Sequence, residues 1–330
     1  MPSDPISKTT RVRHLLNILG PFFGLLLVVG LFSLNPEMRP YFLAGPNFKI
    51  ILTQTVIVAI GALGMTMIIV SGGIDLSVGS VVALTSVVGA RLLVENYSPT
   101  LTIITSILAG GLIGLVNGAV IAGLRMMPFI VTLGMMGVVR GLAKSRWLAN
   151  NQTVNAPESP INNIMASDKP TQLFPLPLGV WIAIALAIAM AILMRQTIFG
   201  RYIFAIGSNE ATARLCGIRV QVQKLLIYTI AGLFFGLAGL MQLSRLTQGD
   251  PTVAIGLELD IIAAVVIGGA SLNGGTGSIL GSMIGALIMA VLRNGSNQMG
   301  WPTYMQEIII GVVIVIAVGL DKLRQSRFKA

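Results

Sequence analysis

Apolar runs of roughly 20 residues, the length that crosses about 30 Å of hydrocarbon at 1.5 Å per residue, recur along nearly the whole chain. They predict helical spans near 15–34, 49–70, 76–94, 101–124, 128–145, 176–194, 224–243, 256–271, 277–292 and 304–320. The expected fold is therefore an all-α polytopic membrane protein of about ten transmembrane helices, a single transmembrane domain over 1–330, with both termini on the same side. Two polar stretches break the rhythm. Residues 147–175, containing "LANNQTVNAPESPINN", read as an irregular loop on the outer side, and residues 195–223 as a longer connection on the inner side.

Within the inner connection, "GSNEATARLCGI" reads as a short helix. Ser208 is placed to cap its N-terminus, Glu210 and Arg214 pair at i and i+4, and Gly217 stops it. About nine residues are marginal as a free helix, so this one is expected to dock on something.

The stretch "VSGGIDLSVGS" interrupts an otherwise apolar run of more than forty residues. Gly72 and Gly73 suit left-handed positions that end a helix, and Asp75 or Ser77 can cap the next, giving a tight turn where water reaches the carboxylate. A weak echo, "VVIGGASLNGGTGS", predicts a second turn on the same side at Gly274 and Gly275. Glycines spaced by four, Gly110/Gly114/Gly118, Gly232/Gly236 and Gly277/Gly281/Gly285, predict helices in close contact.

Of the 330 residues, 54% are hydrophobic and 10% charged, against about 25% charged in soluble domains. The formal charge of +10 comes from basic clusters flanking apolar runs, with no aromatic interleaving, which points to topology and anionic lipid rather than nucleic acid. Thirteen of the 22 Lys and Arg fall inside if the N-terminus is cytoplasmic. The first apolar segment lacks a small-residue cleavage site and is expected to remain as a span. With one cysteine, Cys216, and one histidine, His14, no intrachain disulfide, Cys-based metal site or serine–histidine pair can be assembled, and no metal site is expected. No Lys follows a glycine cluster as a P-loop requires, so no ATP site, cofactor or catalytic residue is expected. The twelve carboxylates lie in loops or near span ends, which argues against a proton-coupled transporter; a facilitator or channel stays open.

Four stretches, "GGIDLSVGS", "PFIVTLGMMGVVRGL", "TIFGRYIFAIGSNEATARLCGIRV" and "AAVVIGGASLNGGTGSILGSMIGA", resemble in sequence and order the membrane permeases of ribose-type sugar ABC importers. The resemblance implies an ABC importer permease fold in the plasma (inner) membrane. It implies a dimer with a second permease copy, identical or sibling, and a pair of ATP-binding cassette ATPase subunits at the cytoplasmic face. It also implies a sugar-binding protein outside, delivering a monosaccharide such as ribose. The coupling segment of that family matches Gly200–Val220, which gives Ser208, Glu210, Arg214 and Gly217 an ATPase as partner. Where the family has Glu-Ala-Ala, Ala211 and Thr212 stand in place of the Glu and first Ala, with a Glu at 210. Gln54, Thr66 and Asn117 are mid-span polar candidates for the substrate pathway, each also able to bond another helix. A permease for a nucleoside or other small polar solute, and an ATP-independent facilitator, remain as alternatives.

Overall fold

The computed structural model describes residues 6–166 and 176–326, so residues 167–175 of the expected outer loop lie outside the described residues. Among the described residues nearly all regular structure is helical: α1 (Ile6–Ser33), α2 (Arg39–Phe42), α3 (Gly45–Val70), α4 (Val78–Val94), α5 (Pro99–Gly123), α6 (Pro128–Lys144), α7 (Leu178–Gln196), α8 (Ile198–Ser208), α9 (Glu210–Leu215), α10 (Val220–Leu246), α11 (Leu257–Ile267), α12 (Ile279–Gln298) and α13 (Thr303–Ser326). Among the described residues, 5 helices are long and apolar enough to cross a membrane: α3, α5, α7, α10 and α12. The chain is a multi-pass membrane protein.

Each expected span coincides with a helix, with one large departure. The apolar segment 256–271 holds only the 11-residue α11, about 16 Å long and half a membrane thickness. Gly256 precedes it with φ +80°, and Gly268 follows it with Gly269 at φ +92° next, so glycine backbone bounds the helix at both ends.

Helix α3 is the axis of the bundle. It is apolar all round, as a fully buried helix should be, and its residues from Thr55 to Val70 are all buried. Around it pack α10, α12, α11 and α7. Helix α5 is the opposite case: Leu101, Ile104, Leu108, Leu112 and Leu115 form an exposed lipid-facing stripe, while Gly110, Gly114 and Gly118 face α10. A methyl group added at Gly110 would meet the carbonyl of Gly232 and lie 2.6 Å from the Cα of Gly236; at Gly118 it would lie 3.0 Å from the Cα of Leu225. The spaced glycines thus lock α5 and α10 backbone against backbone. Gly281 and Gly285 do the same for α12 against Gly268 and Ala264 of α11 and its end.

The outer connection is more ordered than expected. Residues Val154–Asn155 (β1) pair antiparallel with Gln248–Gly249 (β2), in the register Val154↔Gly249, and a 3₁₀ turn at Pro160–Asn163 buries Ile161 against Leu240 and Leu243. Ser244 ties this turn to α10, donating to the Ile161 carbonyl at 2.6 Å and accepting from the Met165 amide at 3.0 Å. Buried Ile161 supplies the apolar anchor that a polar composition concealed.

Candidate functional site

Helix α3 ends in a Schellman turn. Gly72, at φ +83°, donates to the Ile69 carbonyl at 2.9 Å, and Gly73 to the Ile68 carbonyl at 2.9 Å. Only Gly72 is left-handed. Gly73 answers a different need, since a Cβ there would sit 2.5 Å from the Tyr228 hydroxyl. Helix α11 ends in the same way, Gly269 donating to Val266 and Ala270 to Val265, so the sequence echo marks a shared backbone device.

The two turns touch. Gly275, at φ +76°, donates its amide to the Val70 carbonyl at 2.8 Å, capping an orphan acceptor at the end of α3. The last turn of α8 wedges into the same place: a Cβ on Gly207 would strike the Val70 carbonyl and lie 2.6 Å from the Gly275 amide. One on Gly274 would lie 2.7 Å from the Gly207 carbonyl and 3.0 Å from the Cα of Gly72. Three elements therefore meet through backbone alone: the end of α3, the turn before α12, and α8. Gly207 was not among the expected site residues. Its signal in the sequence is a glycine inside the amphipathic stretch "RYIFAIGS", where a helix gains nothing locally from one.

The connection over 195–223 contains two helices, not one. Thr197 caps α8, accepting from the Gly200 amide at 3.1 Å. Ser208, expected as the cap of the next helix, instead ends α8. Asn209, extended at φ −162°, breaks the helix and caps α9, its Oδ1 accepting from the Thr212 amide at 2.9 Å. Glu210 accepts from Arg214 at 2.9 Å and, unforeseen, from Lys224 of α10 at 2.7 Å. Burial alone would push the Glu210 carboxyl up; the hydrogen bond and charge of Lys224, joined by Arg214, carry it below its ordinary value. Gly217, at φ +85° with open space around it, closes α9: its amide bonds the Arg214 carbonyl at 3.1 Å and the Ile218 amide bonds Ala213 at 3.1 Å. Beneath this unit Ile206, Ala213 and Val220 form a small core, and Leu215 projects at 88% exposure.

Asp75 is buried, not wetted as expected: it is 1% exposed. Its Oδ1 accepts from the Ser77 amide at 2.7 Å and the Ser77 hydroxyl at 2.6 Å, and its Oδ2 accepts from Asn117 of α5 at 3.3 Å. Thr132 of α6 completes the turn, accepting from the Leu76 amide and donating to the Ile74 carbonyl, both at 3.2 Å. Burial is possible because the turn lies under α5, α6 and Tyr228 rather than at the bundle surface. Asn117, a pathway candidate, is thereby engaged in helix pairing. Thr66 is engaged likewise, donating to the Ala62 carbonyl at 2.6 Å and bonded to Ser282 of α12 at 2.8 Å.

Gln54 has a different setting. It lines a chamber of about 320 Å³ between α3, the end of α10, the start of α11 and the end of α12, together with Gln242, Arg245, Asp260, Arg293 and Asn297. Asp260 is 2% exposed, and its Oδ2 receives both Arg293 Nε at 2.7 Å and Nη2 at 2.6 Å. In the sequence the pair was hidden as two end-of-span charges. They become level because α11 and α12 run antiparallel, bringing the start of one beside the end of the other. Arg140 of α6 steadies the segment above, donating to the carbonyls of Pro251 at 3.0 Å and Val253 at 2.7 Å.

Known proteins bear on this arrangement. Residues 47–318 match the family described as "Branched-chain amino acid transport system / permease component". The ribose import permease RbsC of Escherichia coli K12 is 38% identical over 302 residues, covering 92% of this chain and 94% of that protein. RbsC of Bacillus subtilis 168 is 40% identical over 314 residues, 93% and 94% of the two chains. The chain belongs to the permease family of ribose-type ABC importers. The L-arabinose transporter permease AraH of Azospirillum brasilense is 36% identical over 291 residues, 88% of this permease and 84% of that one. No solved structure gives a significant match. The family match takes in the backbone junction, α8 and α9, the Asp75 turn and the chamber of the permease, and leaves α1 outside.

Proposed function

We infer that this permease forms the translocation path of an ABC importer for a monosaccharide such as ribose, and that a separate ATPase drives it. The carrying observation is the match along nearly the whole of both chains to proteins named as ribose import permeases. The path itself must then be built from the helices, and the energy must enter at a surface.

In this reading α8 and α9 are that surface. The unit built on Asn209, Glu210, Arg214 and Gly217 sits in a cleft of the cytoplasmic ATPase, with Leu215 and Cys216 foremost, both exposed. Through Gly207 and Ser208 a push on α8 reaches Gly72, Gly274 and Gly275, hence the ends of α3 and α12, with no flexible side chain between. The proposal includes cytoplasmic termini, a dimer with a second permease copy, and an extracytoplasmic sugar-binding protein at the opposite end.

Purification of the tagged chain in mild detergent from its native membrane tests the assembly. An ATP-binding cassette protein should accompany it in stoichiometric yield, and the reassembled importer should take up sugar only with ATP. A chain that purifies alone and carries solute without ATP would establish a facilitator and remove the coupling role of α8 and α9.

A further inference from the structure

The chamber at the far end of α3 contains hydrogen-bonding capacity that the fold leaves unused. The two Arg293 nitrogens that reach Asp260, Nε and Nη2, both meet Oδ2, and Oδ1, buried within a residue 2% exposed, has no partner among the described residues. A carboxylate oxygen left alone in a buried place loses its hydration with nothing in return, so a donor belongs there. Arg245, across the chamber, makes no hydrogen bond or ion pair among the described residues, and Gln54 and Gln242 also line it.

We propose that this chamber binds one neutral, hydroxyl-rich solute, with a hydroxyl donating to Asp260 Oδ1 and others accepting from Arg245 and the glutamines. The chemistry selects the class. An anion offers only acceptors and would leave Oδ1 unanswered. A simple cation would meet Arg245 and Arg293. A hydroxyl group both donates and accepts, so a polyol serves both kinds of wall at once. The volume of about 320 Å³ lies at the low end of the ~300–1,000 Å³ of small-molecule sites, which suits a single sugar ring. No aromatic ring lines it to stack on a sugar face, so binding is weak and release easy, as transit demands. This site rests on the importer reading and deepens it.

The test uses the full chain in proteoliposomes with Cys216→Ser and Ile255→Cys, the latter at a chamber position that is 72% exposed. D-Ribose, L-arabinose, D-fructose and D-allose, each at tens of millimolar, compete with a methanethiosulfonate reagent, with L-leucine as the zwitterionic comparison. At least one sugar should slow labelling threefold or more and L-leucine should not. Adding Gln242→Leu should abolish the protection while leaving the sugar-free labelling rate unchanged. Asp260→Asn should do the same, but it breaks the Arg293 pair and can fail to fold, so the glutamine variant decides. Labelling indifferent to every sugar, or slowed by L-leucine alone, overturns the site. Sugar uptake by the assembled importer without chamber protection would discard the chamber and keep the importer. Protection without ATP-driven uptake would do the reverse.

Discussion

Gly207→Ala adds one methyl group at the point where α8 meets α3 and the turn before α12. The new Cβ would stand 2.6 Å from the Gly275 amide, about 0.8 Å inside the 3.4 Å at which ordinary contact begins, and would overlap the Val70 carbonyl besides. Both obstacles are backbone, so no rotamer change relieves them. The elements must separate, and the 2.8 Å bond from Gly275 to Val70 stretches with them. Overpacking of this kind costs about 1–3 kcal/mol, or roughly 2–8 °C in thermal midpoint for a chain of this size class. The comparison variant is Gly217→Ala, where a Cβ meets open space and only the left-handed φ of +85° is penalised, by about 1 kcal/mol. Thermal unfolding of the two purified variants in detergent, alongside ATP hydrolysis stimulated by binding protein and sugar in the assembled importer, separates steric from conformational cost. Gly207→Ala should lower both readings more than Gly217→Ala. Equal stability and coupling in the two would refute the wedge at Gly207.

Asn209→Ala removes the cap of α9 and should cost about 1 kcal/mol locally, read as faster amide exchange over residues 210–215, while Ser208→Ala leaves that exchange unchanged. Because Glu210 is held below its usual 4.5, its pairing stabilises α9 above that pH and is lost as pH falls through the lower value in the fold. Acid should therefore loosen α9, and Glu210→Gln should remove the dependence, both read by exchange rates. Gly114→Val forces a branched side chain onto the Tyr228 carbonyl and the Gly232 Cα, so the midpoint of unfolding should drop by several degrees; an unchanged midpoint would contradict the close α5–α10 contact. Cys216 should react with an impermeant maleimide only from the cytoplasmic side, and labelling of intact cells from outside would invert the proposed orientation.

The helices were legible in the sequence because apolar length is a strong signal, and the glycine spacings marked α5 and α10 as helices in close contact without saying that each is the other's neighbour. What escaped depended on who lies above whom. The Asp75 turn reads as surface from its own residues, and only the cover of α5, α6 and Tyr228 buries it. The Asp260–Arg293 pair requires knowing that α11 stops after 11 residues and turns back along α12. Ser208 was a reasonable cap by type, but Asn209 takes the extended backbone that a cap needs, and a polar pair in tandem cannot be ordered by composition. Lys224, fourteen residues from Glu210, lies beyond any local rule.

The glycine contact between α5 and α10 also limits how the molecule can move. Gly110 sits against Gly232 and Gly236, and Gly114 against Tyr228 and Gly232; a shift of one residue would bring Ile113 or Leu115 to the place of Gly114, a space that holds no side chain. Sliding shear is the usual way packed helices rearrange, and here it has no neighbouring register to slide into. These two helices must therefore travel as a single body, a chassis whose parts keep one register whatever the rest of the bundle does.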